Sequence, residues 1–144
     1  MSGNAGVYSA FRFVVKFEGL EVAGFSEVSG LEFEIPPIEY RTGDGADLKI
    51  TKMPGLPKYA NITLKRGITT NDEFWSWIAS APDGEVEKRD GEIELLNEAR
   101  EPVARWQFAA GWPCKYQGPE LNATASEIAF ETVEIAHEGL RLSN

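Results

Sequence analysis

The segment from Tyr40 to Gly67, YRTGDGADLKITKMPGLPKYANITLKRG, constrains the fold most because it mixes chain-breaking residues with large apolar ones. Glycine and proline occupy five of fifteen positions in its middle, namely Gly43, Gly45, Pro54, Gly55 and Pro57. Proline removes a backbone donor and glycine adds conformational freedom, so this part is predicted to be irregular. A disordered linker would contain few apolar residues, whereas this one contains Ile50, Met53, Leu56 and Tyr59. We therefore interpret residues 41–59 as an extended functional arm.

Charge also separates this segment from the rest of the chain. Between Tyr40 and Gly67 there are six basic and two acidic residues, on a chain of net charge −9. Residues 67–144 carry six basic and fifteen acidic residues. This acidic balance argues against a nucleic-acid-binding protein, which would need a basic face for phosphates. The asymmetry fits solubility alone, or, more specifically, head-to-tail self-association in which the basic arm meets an acidic face of another copy.

The length and composition are those of one soluble globular domain, so we treat residues 1–144 as a single domain with an arm at about 41–59. The single cysteine, Cys114, excludes an internal disulfide. The N-terminal residues lack the basic start and continuous apolar stretch of a signal peptide. No apolar run approaches the roughly 20 residues of a membrane-spanning helix. These features predict synthesis and folding in the cytoplasm, without membrane insertion.

Alternation of apolar and polar residues predicts a mainly β fold. Segments with this pattern are residues 11–17, 22–29, 31–40, 60–66, 91–96, 103–108 and 112–117. Pro36 and Pro37 are expected to end or deflect the third of these strands. Residues 91–96 and 103–108 flank a turn and predict a hairpin. Residues 126–140 favour a strand by residue type, although four glutamates also fall on one helical face.

One helix is predicted at about residues 71–81. Thr70 and Glu73 have the spacing of a capping box, and apolar residues follow at helical spacing until Pro82. The aromatic face of this helix is expected to cover one open end of a sheet. About seven short strands with turn signals and one helix indicate a barrel or a sandwich.

The residues that carry chemistry give little support for catalysis. Cys114 and His137 are the only cysteine and the only histidine. They form a weak candidate for a nucleophile–base pair because no orienting partner is evident, and a hydrogen-bonded structural histidine is the preferred interpretation. Residues 43–47, GDGAD, lack the ligand spacing of a calcium loop and are interpreted as a turn. The sequence therefore predicts no catalytic, metal-binding or cofactor-binding residues.

Five blocks of the sequence together resemble one protein family. They are GFSEVSGLEFE (24–34), IEYRTGD (38–44), MPGLPKYANITLKRGIT (53–69), WPCKYQGPELNA (112–123) and EIAFETVEIAHEGL (127–140). In this order they are similar to the tail tube proteins of contractile phage tails and phage-tail-like injection systems. The resemblance implies a β-barrel of two antiparallel sheets with a flanking helix, similar to the hexameric tube protein of type VI secretion.

The resemblance also implies a role. Such proteins form homohexameric rings that stack into a hollow tube inside a contractile sheath, with baseplate and tube-tip proteins at its end. Cargo effectors or DNA pass through the lumen, and the particle is a phage tail or an injection device. Residues of the arm are then expected to contact neighbouring subunits or rings, with Met53, Leu56 and Tyr59 as apolar anchors and lysines facing acidic groups. The full set is Arg41, Lys49, Lys52, Met53, Pro54, Gly55, Leu56, Lys58 and Tyr59.

Three alternatives stay open at this stage. The chain could be an adaptor ring at the baseplate or tube tip that shares the tube fold. It could be a small β-barrel that binds an apolar ligand between its four tryptophans, Trp75, Trp77, Trp106 and Trp112. Finally, the arm could be a rigid loop that packs its apolar groups on its own domain.

Overall fold

The computed structural model describes residues 12–20, 23–43, 45–67, 73–119 and 129–143. In these ranges the strands are β1 (Arg12–Phe17), β2 (Ala23–Phe25), β3 (Glu27–Ser29), β4 (Phe33–Glu34), β5 (Pro37–Thr42), β6 (Lys49–Pro54), β7 (Lys58–Tyr59), β8 (Ile62–Gly67), β9 (Arg89–Leu96), β10 (Pro102–Gln117), β11 (Phe130–Ala136) and β12 (Gly139–Ser143). One helix, α1, spans Glu73–Ser80, and 3-10 turns occupy Gly45–Asp47 and Ala81–Asp83. The mainly β fold with one short helix is confirmed.

The main sheet closes into a barrel. Its strands are hydrogen-bonded in the order β2-β1-β9-β10-β11-β8-β3, and β12 also pairs with β10. The two ends of this path, β2 and β3, are consecutive in the chain and are separated only by Ser26. The backbone N–H of Ser26 donates to the carbonyl of Lys65 at 2.8 Å. One bent strand therefore joins both ends of the path.

Strand β10 connects the two halves of the barrel. Along one edge, residues from Pro102 to Gly111 pair with β9, which confirms the predicted hairpin. Along the other edge, residues 105–109 pair with β12 and residues 112–117 pair with β11. Both halves of the barrel thus share one strand of sixteen residues. Strand β11 also confirms the strand interpretation of residues 130–136, while residues 120–128 lie outside the described ranges.

The core consists of the inward-facing residues of the barrel strands. Val15, Ile62, Ile93 and Ile135 are fully buried, because every second residue of a strand points to the same side of the sheet. The residues between them point to the outside of the barrel and are partly exposed, which produces the alternating burial of β8. This pattern accounts for the periodicity that predicted the strands.

Helix α1 covers the core with its aromatic side. Phe74, Trp77 and Ile78 are buried, and the ring centroids of Phe17 lie 5.1 Å from Phe74 and 4.9 Å from Trp77. The observed helix agrees with the prediction of about residues 71–81, and a 3-10 turn with Gly84 in the left-handed region follows it. Thr70, the predicted start of the capping box, lies outside the described residues.

Residues 31–40 differ from the prediction of one half-buried strand. Only Phe33–Glu34 and Pro37–Thr42 are strands, and all their residues are exposed. Pro37 begins a strand instead of ending one. This is compatible with the lack of an N–H on proline because β5 pairs with a single partner strand, β6. These residues leave the barrel and belong to a separate projection.

A buried ion pair interrupts the apolar interior. Arg66 of β8 and Glu131 of β11 both point inward, and Arg66 Nε donates to Glu131 Oε2 at 2.7 Å. The side chains are only 9% and 0% exposed. The hydroxyl of Tyr116 donates to Glu131 Oε1 at 2.9 Å, and the Arg66 guanidinium lies 4.9 Å from the ring of Phe74. Each charge is therefore compensated inside the barrel.

A second acid, Glu94, is held on the outer side of the barrel between two cations. Arg105 Nε donates to Glu94 Oε2 at 2.8 Å, and Lys16 Nζ lies 3.0 Å from Glu94 Oε1. The hydrogen bond from Arg105, followed by the effect of Lys16, lowers the pKa of Glu94 although its burial acts in the opposite direction. The carboxylate thus stays charged in a largely buried position.

Candidate assembly surface

The predicted arm is a regular β-hairpin, which corrects the expectation of an irregular segment. Strands β5 and β6 pair antiparallel from Pro37↔Pro54 to Thr42↔Lys49. The glycines that suggested irregularity lie in the connection between the strands, where Gly43 has a φ of 88°. Pro54 is the last residue of β6, so its missing N–H interrupts little of the ladder. We call residues 37–54 the arm hairpin.

A short second ladder joins the arm hairpin to the barrel. Strands β4 and β7 pair through Phe33↔Tyr59 and Glu34↔Lys58. Between the two ladders, the N–H of Gly55 donates to the carbonyl of Pro36 at 2.9 Å. A Cβ at position 55 would lie 2.6 Å from that carbonyl oxygen, so only glycine permits the close approach.

His137 fixes the base of the arm to the barrel. Its Nε2 donates to the carbonyl of Ala60 at 2.9 Å, and its Nδ1 lies 3.3 Å from the N–H of Gly139. The ring centroid of His137 is 5.7 Å from that of Tyr59. The structural interpretation of this histidine therefore agrees with its contacts. The predicted anchor Tyr59 lies at this base and is half-buried.

The weak candidate pair of Cys114 and His137 is not assembled. The Sγ of Cys114 donates to the carbonyl of Glu134 at 3.4 Å, whereas both ring nitrogens of His137 face backbone groups. Burial, followed by the charge of Glu134, raises the pKa of the Cys114 thiol, which reduces its thiolate fraction. Among the residues the structure describes, no group of three or more His, Cys, Asp or Glu side chains is placed to hold a metal ion.

The arm hairpin exposes large apolar side chains. All of its strand residues are exposed except Thr51, which is partly buried. The exposed fractions are 51% for Ile38, 43% for Tyr40, 60% for Ile50 and 45% for Met53, and Leu56 beside the hairpin reaches 84%. The arm therefore does not pack these groups on its own barrel, contrary to the surface-loop alternative. Exposed apolar side chains in such a density mark an interaction surface.

The hairpin register assigns each residue to one of two faces. Directly paired residues point to the same side, and the side alternates along each strand. One face carries Ile38 with Met53, Tyr40 with Thr51, and Thr42 with Lys49. The other carries Pro37 with Pro54, Glu39 with Lys52, and Arg41 with Ile50. We call these the apolar face and the charged face.

Only part of this surface was predicted from the sequence. Met53 and the basic residues were among the predicted interface residues, but Ile38 and Tyr40 were not, because residues 31–40 were interpreted as part of the main sheet. The alternation of Ile38 and Tyr40 with Glu39 and Arg41 was the signal that could have identified them. Gly45–Asp47 forms a 3-10 turn, as expected for a turn, and Asp44 lies outside the described residues.

The four tryptophans are not brought together in the pockets between the described residues. One pocket of about 720 Å³ is lined by Phe17, Tyr59, Phe108 and their neighbours and includes none of the tryptophans, and another contains Trp77 alone among them. Trp77 is buried under the helix, where its Nε1 donates to the carbonyl of Glu87 at 2.8 Å. Trp106 and Trp112 pack against the core as partly buried residues. This placement favours a structural role for the tryptophans.

A closed antiparallel barrel with a projecting hairpin of exposed apolar side chains is the arrangement expected of a structural assembly protein. Residues 9–141 match the sequence model of the family described as T4-like virus tail tube protein gp19, and the chain belongs to this family of tail tube proteins. Its relatives are structural tube components and not enzymes. The resemblance noted in the sequence is thereby confirmed.

Solved structures support the same family. The chain is 34% identical to a chain of an extracellular contractile injection system, the PVC sheath-tube complex in the extended state, with a TM-score of 0.77 over 95% of this chain and 89% of that chain. It is 33% identical to a chain of the anti-feeding prophage cap, with a TM-score of 0.77 over 92% of this chain and 87% of that one.

A more distant likeness concerns the fold alone. Hcp1 from Flavobacterium johnsoniae is 14% identical, with a TM-score of 0.59 over 91% of this chain and 94% of that chain. A comparison with proteins of curated function finds no match. Within the described ranges, no helix has the length and apolar character needed to cross a bilayer.

Proposed function

We propose that this chain is the subunit of the inner tube of a contractile injection system or contractile phage tail. Six copies form a ring, and rings stack into a hollow tube through which an effector or DNA passes when the surrounding sheath contracts. Residues 1–144 act as one tube domain that contributes its arm to a neighbouring copy. The proposal rests on family membership and on one structural observation, the projecting hairpin with its exposed apolar side chains.

The hairpin supports self-assembly because a solvated projection of this composition is unfavourable in an isolated molecule. Leu56 and Met53 are 84% and 45% exposed, and contact with another copy would remove them from water. A head-to-tail contact repeated by rotation closes a ring, and the same kind of contact along an axis extends a stack. Both geometries suit a protein with one projection and one compact body.

The related structures also support the proposed partners. One of them contains a sheath and a tube, and another a cap that terminates a tube. By analogy, this chain contacts a sheath protein on the outside of the tube and baseplate or tube-tip proteins at its end. It is made in the cytoplasm and becomes part of a phage tail or an extracellular injection particle.

An adaptor ring of the same machinery is the second candidate. The chain is 20% identical to a chain of the anti-feeding prophage baseplate, compared with 34% for the sheath-tube complex. The higher identity to the latter favours the main tube over the adaptor ring. The ligand-binding barrel has less support because the tryptophans line no shared cavity.

Electron microscopy of the purified chain tests the proposal. We expect rings and stacked tubes from the unaltered protein. The double variant Met53→Asp, Leu56→Asp is expected to stay folded without forming tubes, because charges replace the exposed apolar contacts. Circular dichroism and size-exclusion chromatography report the folded state and the particle size.

Two further variants make this test specific. The pair Met53→Lys, Leu56→Lys has the opposite charge and is expected to fail in the same way if the contact is apolar. Ala99→Asp, in the exposed turn between β9 and β10, adds a charge far along the chain from the arm and is expected to assemble normally. Normal tubes from both double variants would show that the arm is not the contact.

A further inference from the structure

The two faces of the arm hairpin have different side chains and therefore suit different surroundings. We infer that the apolar face, through Ile38, Tyr40 and Met53, binds a second copy of this chain, while the charged face remains in solvent. This inference rests on the proposed function, and it adds which side of the hairpin makes the contact. It also assigns Ile38 and Tyr40 to the interface.

The pairing register of β5 and β6 determines which residues of the arm hairpin share a face. Ile38 is directly opposite Met53, and Tyr40 follows on the same side, so three large apolar groups are neighbours on one surface. On the reverse side Glu39 is opposite Lys52 and Arg41 is opposite Ile50. Burying that side would remove three charged groups from water, which is unfavourable unless each finds a partner. The apolar face carries only one charged residue, Lys49, at the end of the ladder farthest from the barrel, so covering it costs less.

The hairpin itself needs a cover on one side. Two-stranded hairpins are marginally stable in water unless a third strand or another surface packs on them. Strands β5 and β6 pair only with each other in the described chain. The apolar face supplies a surface that can pack, and a partner that covers it stabilises the hairpin at the same time.

Charge favours another copy as the partner. From Pro37 to Tyr59 the chain contains four basic residues, Arg41, Lys49, Lys52 and Lys58, and three acidic ones, Glu39, Asp44 and Asp47. The chain as a whole has a net charge of −9. The arm, with a net charge of +1, is therefore attracted to the acidic body of an identical molecule.

The charged face can contribute to this attraction without direct contact. Charges near an interface mainly raise the association rate and its dependence on salt, whereas buried apolar groups set the strength of binding. This differs from the sequence-based expectation that Lys52 faces acidic groups across the contact. Lys49 is the basic residue of the set that lies on the apolar face.

A matched pair of substitutions tests the assignment. Ile38 and Ile50 are both exposed isoleucines of the same hairpin, on opposite faces. Ile38→Thr and Ile50→Thr each remove the apolar end of the side chain but keep β-branching, so strand propensity is preserved. The readout is the protein concentration at which tubes form, from light scattering and electron microscopy.

Ile38→Thr is expected to raise this concentration about tenfold or more, because the lost contact recurs in every subunit. Ile50→Thr is expected to change it by less than about twofold. Lys52→Gln, on the charged face, is expected to slow assembly and weaken its salt dependence while the final amount of tubes stays the same.

The outcomes separate this inference from the proposed function. If the unaltered chain forms tubes and Ile50→Thr is as damaging as Ile38→Thr or more so, the face assignment is wrong and the tube function stands. If the unaltered chain forms neither rings nor tubes, the proposed function fails and the inference falls with it. A Tyr40→Ser variant that assembles like the unaltered chain would also contradict the assignment.

Discussion

The barrel and the arm hairpin are both antiparallel β-structure, but they are stabilised in different ways. In β8 of the barrel, Ile62 and Leu64 are 0% and 1% exposed. In the hairpin, Ile38 and Ile50 are 51% and 60% exposed although their backbones pair in the same manner. Backbone pairing alone therefore does not indicate a stable element. The barrel contains its own core, whereas we propose that the hairpin obtains one from another molecule.

The largest loss of unfolding free energy is expected when the buried ion pair of Arg66 and Glu131, which belongs to the barrel, is broken. Glu131→Ala leaves Arg66 charged in the interior and is expected to lower the free energy of unfolding by about 3–5 kcal/mol. Urea unfolding of the unassembled protein, followed by circular dichroism, measures the change. The double variant Arg66→Met, Glu131→Leu leaves no buried charge and is expected to be more stable than Glu131→Ala. The opposite order would show that the pair is not compensated as its geometry indicates.

A leucine pair compares the two regions directly. Leu64→Ala removes a side chain that is 1% exposed and is expected to cost about 2–5 kcal/mol of unfolding free energy. Leu56→Ala removes one that is 84% exposed and is expected to change stability by less than about 0.5 kcal/mol. Both values come from the same urea experiment on unassembled protein. A large loss for Leu56→Ala would mean that the arm packs on its own barrel.

The smallest expected effect is on the pH dependence of the unfolding free energy, and it comes from Glu94 in the barrel. Arg105 and Lys16 lower the pKa of Glu94 in the folded state. At a pH near this pKa the unfolded state therefore binds more protons than the folded state. The stabilisation is present above the ordinary glutamate pKa of 4.5 and is lost as pH falls through the lower folded value. We expect Glu94→Gln to flatten the decline in unfolding free energy between about pH 6 and pH 3.

The control for this prediction is Glu98→Gln in the exposed turn between β9 and β10. It removes an equal charge without removing an ion pair and should leave the acid limb unchanged. An unaltered profile for Glu94→Gln as well would contradict the proposed origin of the acid sensitivity.

The barrel could be predicted from the sequence because its strands alternate in the way that one buried face requires. The helix followed from aromatic residues at helical spacing before Pro82. The ion pair could not be predicted, since charged residues in a strand are expected to face water. Arg66 and Glu131 are 65 residues apart, and only the folded sheet brings them together.

The sequence predicted an extended functional arm at residues 41–59; its function stays a prediction, and its irregular structure was predicted incorrectly. The prediction of an irregular segment relied on the number of glycines and prolines. It gave less weight to the alternation of apolar and polar residues from Ile38 to Thr42 and from Lys49 to Met53. The number of glycines and prolines does not show where they lie in the hairpin. Pro37 and Pro54 lie at the open end of a two-stranded ladder, and Gly43 lies in the connection between its strands. At these positions the same residues permit a hairpin. In our proposal the partner surface for the arm lies on another molecule, and the pattern of one sequence does not specify which residues form it.

Strand β10 has a mechanical consequence. Because one strand supplies hydrogen bonds to β9, β11 and β12, bending the two halves of the barrel against each other would strain ladders on both sides of that strand. Its irregularities between Phe108 and Gly111 and between Pro113 and Lys115 are the places where β10 can bend. In the tube proposed above, a subunit built on this strand would transmit an axial push through its body, and we expect shape changes to occur mainly at the contacts between subunits.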